Sequence, residues 1–112
     1  MYRITLNRVH DTVLINEGAD KLKLDVDGDP MRMVAGLSQA QKLMQGLTDE
    51  TGAEESRKAA LFFAACIFGQ EQAEHLLAFY HNDAACVINV CGQYFKNRLN
   101  RLITKAQKKA KK

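Results

Sequence analysis

The amino-acid sequence predicts a single α+β domain: a small N-terminal antiparallel sheet of two or three strands packed on about four α-helices, the last of them long. Three observations carry this. Apolar residues alternate before residue 28 and recur every third or fourth position after residue 30. An Asp29-Pro30 step separates the two regimes. With 112 residues, 46% apolar and 26% charged, the chain can build one core and is too short for two full-size domains. The expected organisation is strands within 1–28, helices within 30–107 and a basic, frayed tail at 108–112.

Tyr2, Ile4 and Leu6 alternate with Arg3, Thr5 and Asn7, and Leu22, Leu24 and Val26 alternate with Lys21, Lys23 and Asp25. Period two with one apolar face describes a half-buried strand. Thr12–Asn16 adds a short β-branched run, and 7–11 and 16–20 read as the turns, the second containing Gly18. A sheet this small needs a helix packed on it.

Asp29 is a good N-cap, and Pro30 suits the first helical position, where its missing N–H costs nothing. Met33, Leu37, Ala40, Met44 and Leu47 then share a face, so a first helix is expected over 30–47. Thr51 and Glu54 have capping-box spacing for a second helix starting near Ala53. That helix runs through AALFFAACIF and stops at Gly69, a favoured left-handed C-cap residue. A third helix follows from Gln70 to Tyr80, burying Ala73, Leu76, Leu77 and Tyr80, and His81-Asn82-Asp83 ends it. The fourth is expected over 84–106, with Ala84, Ile88, Cys91, Phe95, Leu99, Leu102 and Ala106 in one stripe. At 1.5 Å per residue it would be about 35 Å long, against a radius of gyration of about 13 Å for such a domain, so its far end is expected to project toward a partner.

Charge is divided unevenly. Residues 1–83 hold all thirteen carboxylates and eight cations, whereas 84–112 hold the other eight cations and no acid. An acidic body with a basic tail suits a polyanion, an acidic partner or a second copy of itself. The ten-residue run 59–68 is too short to cross a bilayer, which takes about 20 residues, and the start of the chain lacks a secretory pattern. A cytoplasmic protein with no membrane association is expected. The odd cysteine count, Cys66, Cys86 and Cys91, fits buried free thiols in a reducing compartment.

Candidate chemistry is sparse. Asp25-Val26-Asp27-Gly28-Asp29 begins like a calcium loop, but its sixth residue is Pro30 and its twelfth Gly36, where Gly and Glu are needed. Cys86 and Cys91 stand about 140° apart on a helix and cannot share a metal from one face. Cys66 lies in an apolar run, and His10, His75 and His81 have no catalytic partner motif. No catalytic, metal or cofactor site is expected, and the protein reads as a non-enzyme. The basic patch Lys96, Arg98, Arg101, Lys105, Lys108 and Lys109 could contact phosphates, but no aromatic residue follows Phe95 to stack on bases.

From residue 59 onward the pattern resembles the tail assembly chaperones of long-tailed phages and prophage elements. An apolar helix ends in Phe68-Gly69, and a short helix rich in Glu, Ala, Leu and aromatics spans Gln70 to Tyr80. A break follows at Asn82-Asp83, then a long helix ending in the Lys-rich run Lys105–Lys112. The resemblance covers about half of the chain closely. It implies a non-enzymatic protein, without cofactor, that coats the helical tape-measure protein before tail-tube subunits polymerise around it. The family's frequent frameshift-extended form is a further implication. Met33, Leu37, Met44, Phe95, Leu99 and Leu102 are the expected partner or self-association surface. The alternative is a small nucleic-acid-binding or regulatory protein using the basic C-terminal helix, and a structural virion component is a third reading.

Overall fold

Why the N-terminal third forms a hairpin is visible in its register. In the computed structural model, which describes residues 8–48 and 50–110, β1 (Val9–Glu17) pairs antiparallel with β2 (Asp20–Gly28). The closing pair is Glu17 with Asp20, leaving Gly18-Ala19 as a two-residue loop with Gly18 at φ 62°. Glycine at the first loop position with positive φ matches a twist-compatible hairpin turn. The inner face buries Val9, Ile15, Leu24 and Val26, while His10, Thr12 and Leu14 face outward. The strand expected at Tyr2–Leu6 lies outside the described residues. The turn expected at 7–11 is corrected: Val9, His10 and Asp11 belong to β1.

Helix α1 (Pro30–Gln45) starts as expected, with the Asp29 carboxylate accepting the Met31 N–H at 3.2 Å. It ends before Leu47, with Gly46 as its C-cap. Helix α2 (Ala53–Phe68) has Gly52 as N-cap and no side-chain cap. The expected capping box is therefore absent, because the Thr51 hydroxyl is engaged by the Thr48 N–H at 2.7 Å. Gly69 does end α2, but at φ 87° and ψ 161°, which is not the left-handed helical cap expected. That region is essentially confined to glycine, and it lets α3 (Gln70–Phe79) begin at the next residue. His81 and Asn82, at φ 55° and 65°, break the chain before Asp83, whose carboxylate caps α4 (Ala84–Tyr94) through the Ala85 and Cys86 N–H groups.

The long helix is present but not uniform. A π-helical turn, Phe95–Leu99, interrupts it before α5 (Asn100–Ala110), and the Asn100 N–H reaches the Phe95 carbonyl five residues back. One extra residue in the turn resets the phase of everything after it. Cys91 to Leu99 is eight residues, about 800° in a regular helix, which would leave Leu99 about 80° off the Cys91 face. With one residue absorbed the angle is about 700°, only about 20° away. Val87, Cys91, Leu99, Ile103 and Ala106 are accordingly buried. The straight stripe expected from spacing is corrected at Ala84, Ile88, Phe95 and Leu102, which are half-buried, while Val87 and Ile103 take core positions.

The architecture is α+β, a two-stranded sheet on four helices with the last one long. Helix α2 is its axis, packed against α1, α3, α4 and β2, with Ala60 and Ala64 fully buried. A buried apolar cluster continues from the hairpin through all the helices.

Candidate functional site

Helix α1 covers the core with one side and leaves the other uncovered. Met33 and Ala40 are buried, with the Met33 side chain closely packed beneath Gly28. Among the described residues four large apolar side chains are exposed, and three of them, Met31, Val34 and Leu43, are on α1. A surface helix normally shows its polar face to solvent. Here that face is mixed: Met31, Val34, Ser38 and Gln41 follow one another at helical spacing.

Beside this face runs a groove of about 420 Å³. Val34, Leu37 and Met44 form one wall, Phe63 of α2 contributes from below, and Phe95 and Ile103 form the other wall. Ser38, Gln41 and Asn100 supply polar groups along it. Two backbone features set its walls. Gly36 lets α1 approach α2 so closely that a Cβ there would stand 2.7 Å from Cys66 Sγ. The π turn sets Phe95 and Ile103 toward the groove together.

The six residues expected to form a partner surface therefore divide. Leu37, Met44 and Phe95 come together in the groove. Met33 is 4% exposed and Leu99 0%, so both are core residues and are corrected as surface candidates. Leu102 is half-buried against the core and does not line the groove. Val34 was missed because its stripe also holds Ser38 and Gln41, which masks the apolar pattern; the signal available was its i, i+3 spacing from Met31.

The basic patch also divides. Arg101, Lys105 and Lys108 are exposed on one face of α5, opposite Leu99, Ile103 and Ala106, and Lys96 is exposed in the π turn. The Arg101 guanidinium donates to the Asn97 carbonyl at 2.7 Å. Arg98 is committed elsewhere. Its Nη2 donates to Asp11 Oδ1 at 2.8 Å, and the Tyr94 hydroxyl donates to Asp11 Oδ2 at 2.7 Å. Burial pushes the Asp11 carboxyl up, but these hydrogen bonds outweigh it and hold the group below the usual carboxylate range. Lys109 falls within α5, and its side chain lies outside the described residues.

The thiols sit in different surroundings. Burial pushes Cys91 up to about 12 and raises Cys66 as well. Cys86 is raised by its hydrogen bond to Asp83, with Sγ 3.3 Å from Oδ2. Among the described residues no group of three or more His, Cys, Asp or Glu side chains could hold a metal ion. No helix among them is long and apolar enough to cross a membrane. The arrangement can seat apolar side chains from a partner and orient them by a few amide and hydroxyl groups. No family model, curated protein or solved structure matches the chain.

Proposed function

We propose that this protein is a non-enzymatic phage tail assembly chaperone that binds the helical tape-measure protein in the host cytoplasm. The observation that carries the reading is the uncovered apolar face of α1 beside the groove lined by Leu37, Met44 and Phe95. An amphipathic client helix inserts residues at i and i+3 or i+4 into such a groove. A groove of about 420 Å³ takes a few anchoring side chains and not a whole helix, so affinity per site is modest. Coating a long client then depends on many copies acting along it. The Phe68-Gly69 helix end, the Asn82-Asp83 break and the Lys-rich terminus support the phage assignment through the resemblance they carry.

The test is titration of a labelled amphipathic tape-measure peptide at two salt concentrations, with wild type and Val34→Glu. Val34 is 42% exposed, so the substitution changes the groove rim without entering the core. Wild type should bind with little salt dependence, and the variant at least about tenfold more weakly, since burying a Val-sized side chain is worth about 1.5–3 kcal/mol. Equal binding by both would overturn the groove assignment. Peptide indifference combined with steeply salt-dependent nucleic-acid binding would transfer the function to Lys96, Arg101, Lys105 and Lys108.

A further inference from the structure

The hairpin's outward backbone groups are covered at one point and open at others. With Glu17 and Asp20 as the closing pair, alternate residues point their backbone groups away from the partner strand. On β2 one of these is Asp25, and the Gln72 side chain of α3 satisfies it completely. Asp25 N–H donates to Gln72 Oε1, and Gln72 Nε2 donates to the Asp25 carbonyl, both at 2.7 Å. A helix amide thus stands in for a neighbouring strand. On β1 the outward residues include Leu14 and Asn16, and their backbone groups, like those of Lys23 and Lys21 opposite them, have no such partner among the described residues.

That edge opens into a second groove, of about 850 Å³, between β1 and α4. Five consecutive residues, Val13 to Glu17, line it. Successive strand side chains leave by opposite faces, so five in a row line a groove only when the strand presents its edge to it. Asn89, Gln93 and Asn97 line the opposite wall at four-residue spacing. Only a long 3.4 Å contact joins Gln93 Nε2 to Asn89 Oδ1. Side-chain amides both donate and accept, as the two edges of an extended backbone require. The bonds from Tyr94 and Arg98 to Asp11 close the groove at one end, and Glu17, Asp20 and Asp83 make its other end acidic.

We propose that the β1 edge at Val13–Glu17 receives the segment Tyr2–Leu6 of a second copy as an added strand, with Asn89, Gln93 and Asn97 facing its far edge. The occupant is chosen by length, pattern, charge and reach. Five strand residues span about 17 Å on either side of the pairing. Tyr2, Ile4 and Leu6 alternate with polar neighbours, and Arg3 complements the acidic end. Arg8 Nε donates to Asp27 Oδ1 at 2.8 Å, so the chain enters β1 at the end opposite the hairpin turn. Even a two-residue reversal at Asn7-Arg8 would pair Leu6 with Val9 and Tyr2 with Val13, stopping where the groove's strand wall begins. This surface is separate from the α1 groove, so either proposal can fail alone.

The experiment uses the full chain and a synthetic peptide of residues 1–8. Wild type should show a light-scattering mass above the 12.6 kDa of one chain. Ile4→Pro should lower it to the single-chain mass by removing a backbone donor from the added strand. The peptide should bind that variant, and a peptide N-methylated at Ile4 should bind about tenfold more weakly, the loss of one backbone hydrogen bond. Both edges of the added strand are contacted, so methylation costs affinity whichever way Ile4 points. The same peptide pair is also tested as dissociators of the wild-type multimer, which needs no substitution and survives any misfolding of the variant. Equal potency of the two peptides overturns the proposal, as does a multimer that persists in folded Ile4→Pro. A wild-type chain that stays at 12.6 kDa and ignores the peptide overturns it too.

Discussion

Deleting Lys96 should leave the fold intact, whereas deleting Asn89 should damage it severely. Both residues are exposed polar positions in the long helix, so side-chain loss alone does not separate them. Removing any residue from a regular helix rotates one half against the other by about 100°. At Asn89 this carries Val87, now 0% exposed, out of the core and loosens the segment capped by Asp83. Losing one buried Val costs about 1.5–3 kcal/mol before any cavity is counted. At Lys96 the deletion instead removes the extra residue of the π turn. Cys91 and the present Leu99 become seven residues apart, about 700°, and stay on one face. Tyr94 and Arg98 become i, i+3 neighbours and can both still reach Asp11. With about 4–8 °C per kcal/mol for a domain of this order, the Asn89 deletion should lower Tm by about 10 °C or more and the Lys96 deletion by less than about 5 °C. Thermal unfolding followed by circular dichroism measures both. Equal losses would refute the argument that the π turn absorbs one residue of phase.

Asp11→Asn should cost about 1–2 kcal/mol at neutral pH, because a carboxylate that is 6% exposed loses charged hydrogen bonds to an exposed partner. The folded pKa of Asp11 is lowered, so its contribution is present above the unfolded value near 4 and fades as pH falls through the folded value. The variant should therefore show a shallower acid limb below about pH 4 in denaturant titrations, and an unchanged limb would contradict the assignment. Maleimide labelling at pH 8 read by mass spectrometry should modify Cys86 first, Cys66 more slowly, and Cys91 only on unfolding, since Cys91 is fully buried and its thiol is pushed up to about 12. Gly36→Ala should destabilise by about 1 kcal/mol despite better helix propensity, because the new Cβ meets Cys66 Sγ at 2.7 Å. Cys66→Ala should recover much of that loss, and a double-mutant cycle in chemical denaturation with no coupling would show that the two helices are not in contact there.

Most of the fold was legible because each element announces itself locally. Asp29-Pro30 and Asp83 mark helix starts through capping chemistry that depends on a few neighbouring atoms, and Gly69 marks a helix end through a backbone conformation open to glycine. What escaped depends on distant partners. His10 and Asp11 look like turn residues in isolation, and Asp11 earns its strand position through Tyr94 and Arg98, more than eighty residues away. The π turn has no sequence mark of its own; Phe95-Lys96-Asn97-Arg98-Leu99 reads as ordinary helix, and only the need to bury Cys91 and Leu99 together reveals it. The candidate groove was half visible for the same reason. Leu37, Met44 and Phe95 follow from spacing, but Phe63, Ile103 and Val34 join them only once α1, α2 and α5 are packed.

The Asp11–Arg98 contact also sets a timetable for synthesis. Arg98 follows the end of the hairpin at Gly28 by 70 residues, so at about 5–20 residues per second the hairpin waits about 4–14 s on the ribosome before its clamp is made. During that interval β1 has its hydrogen-bonding partner β2 but not the helix that holds its far side. An emerging hairpin with one strand edge open is a target for wrong pairing, and neighbouring nascent chains on one message present many such edges together. Folding of this protein is therefore decided late, when the last quarter of the chain arrives and fastens the first.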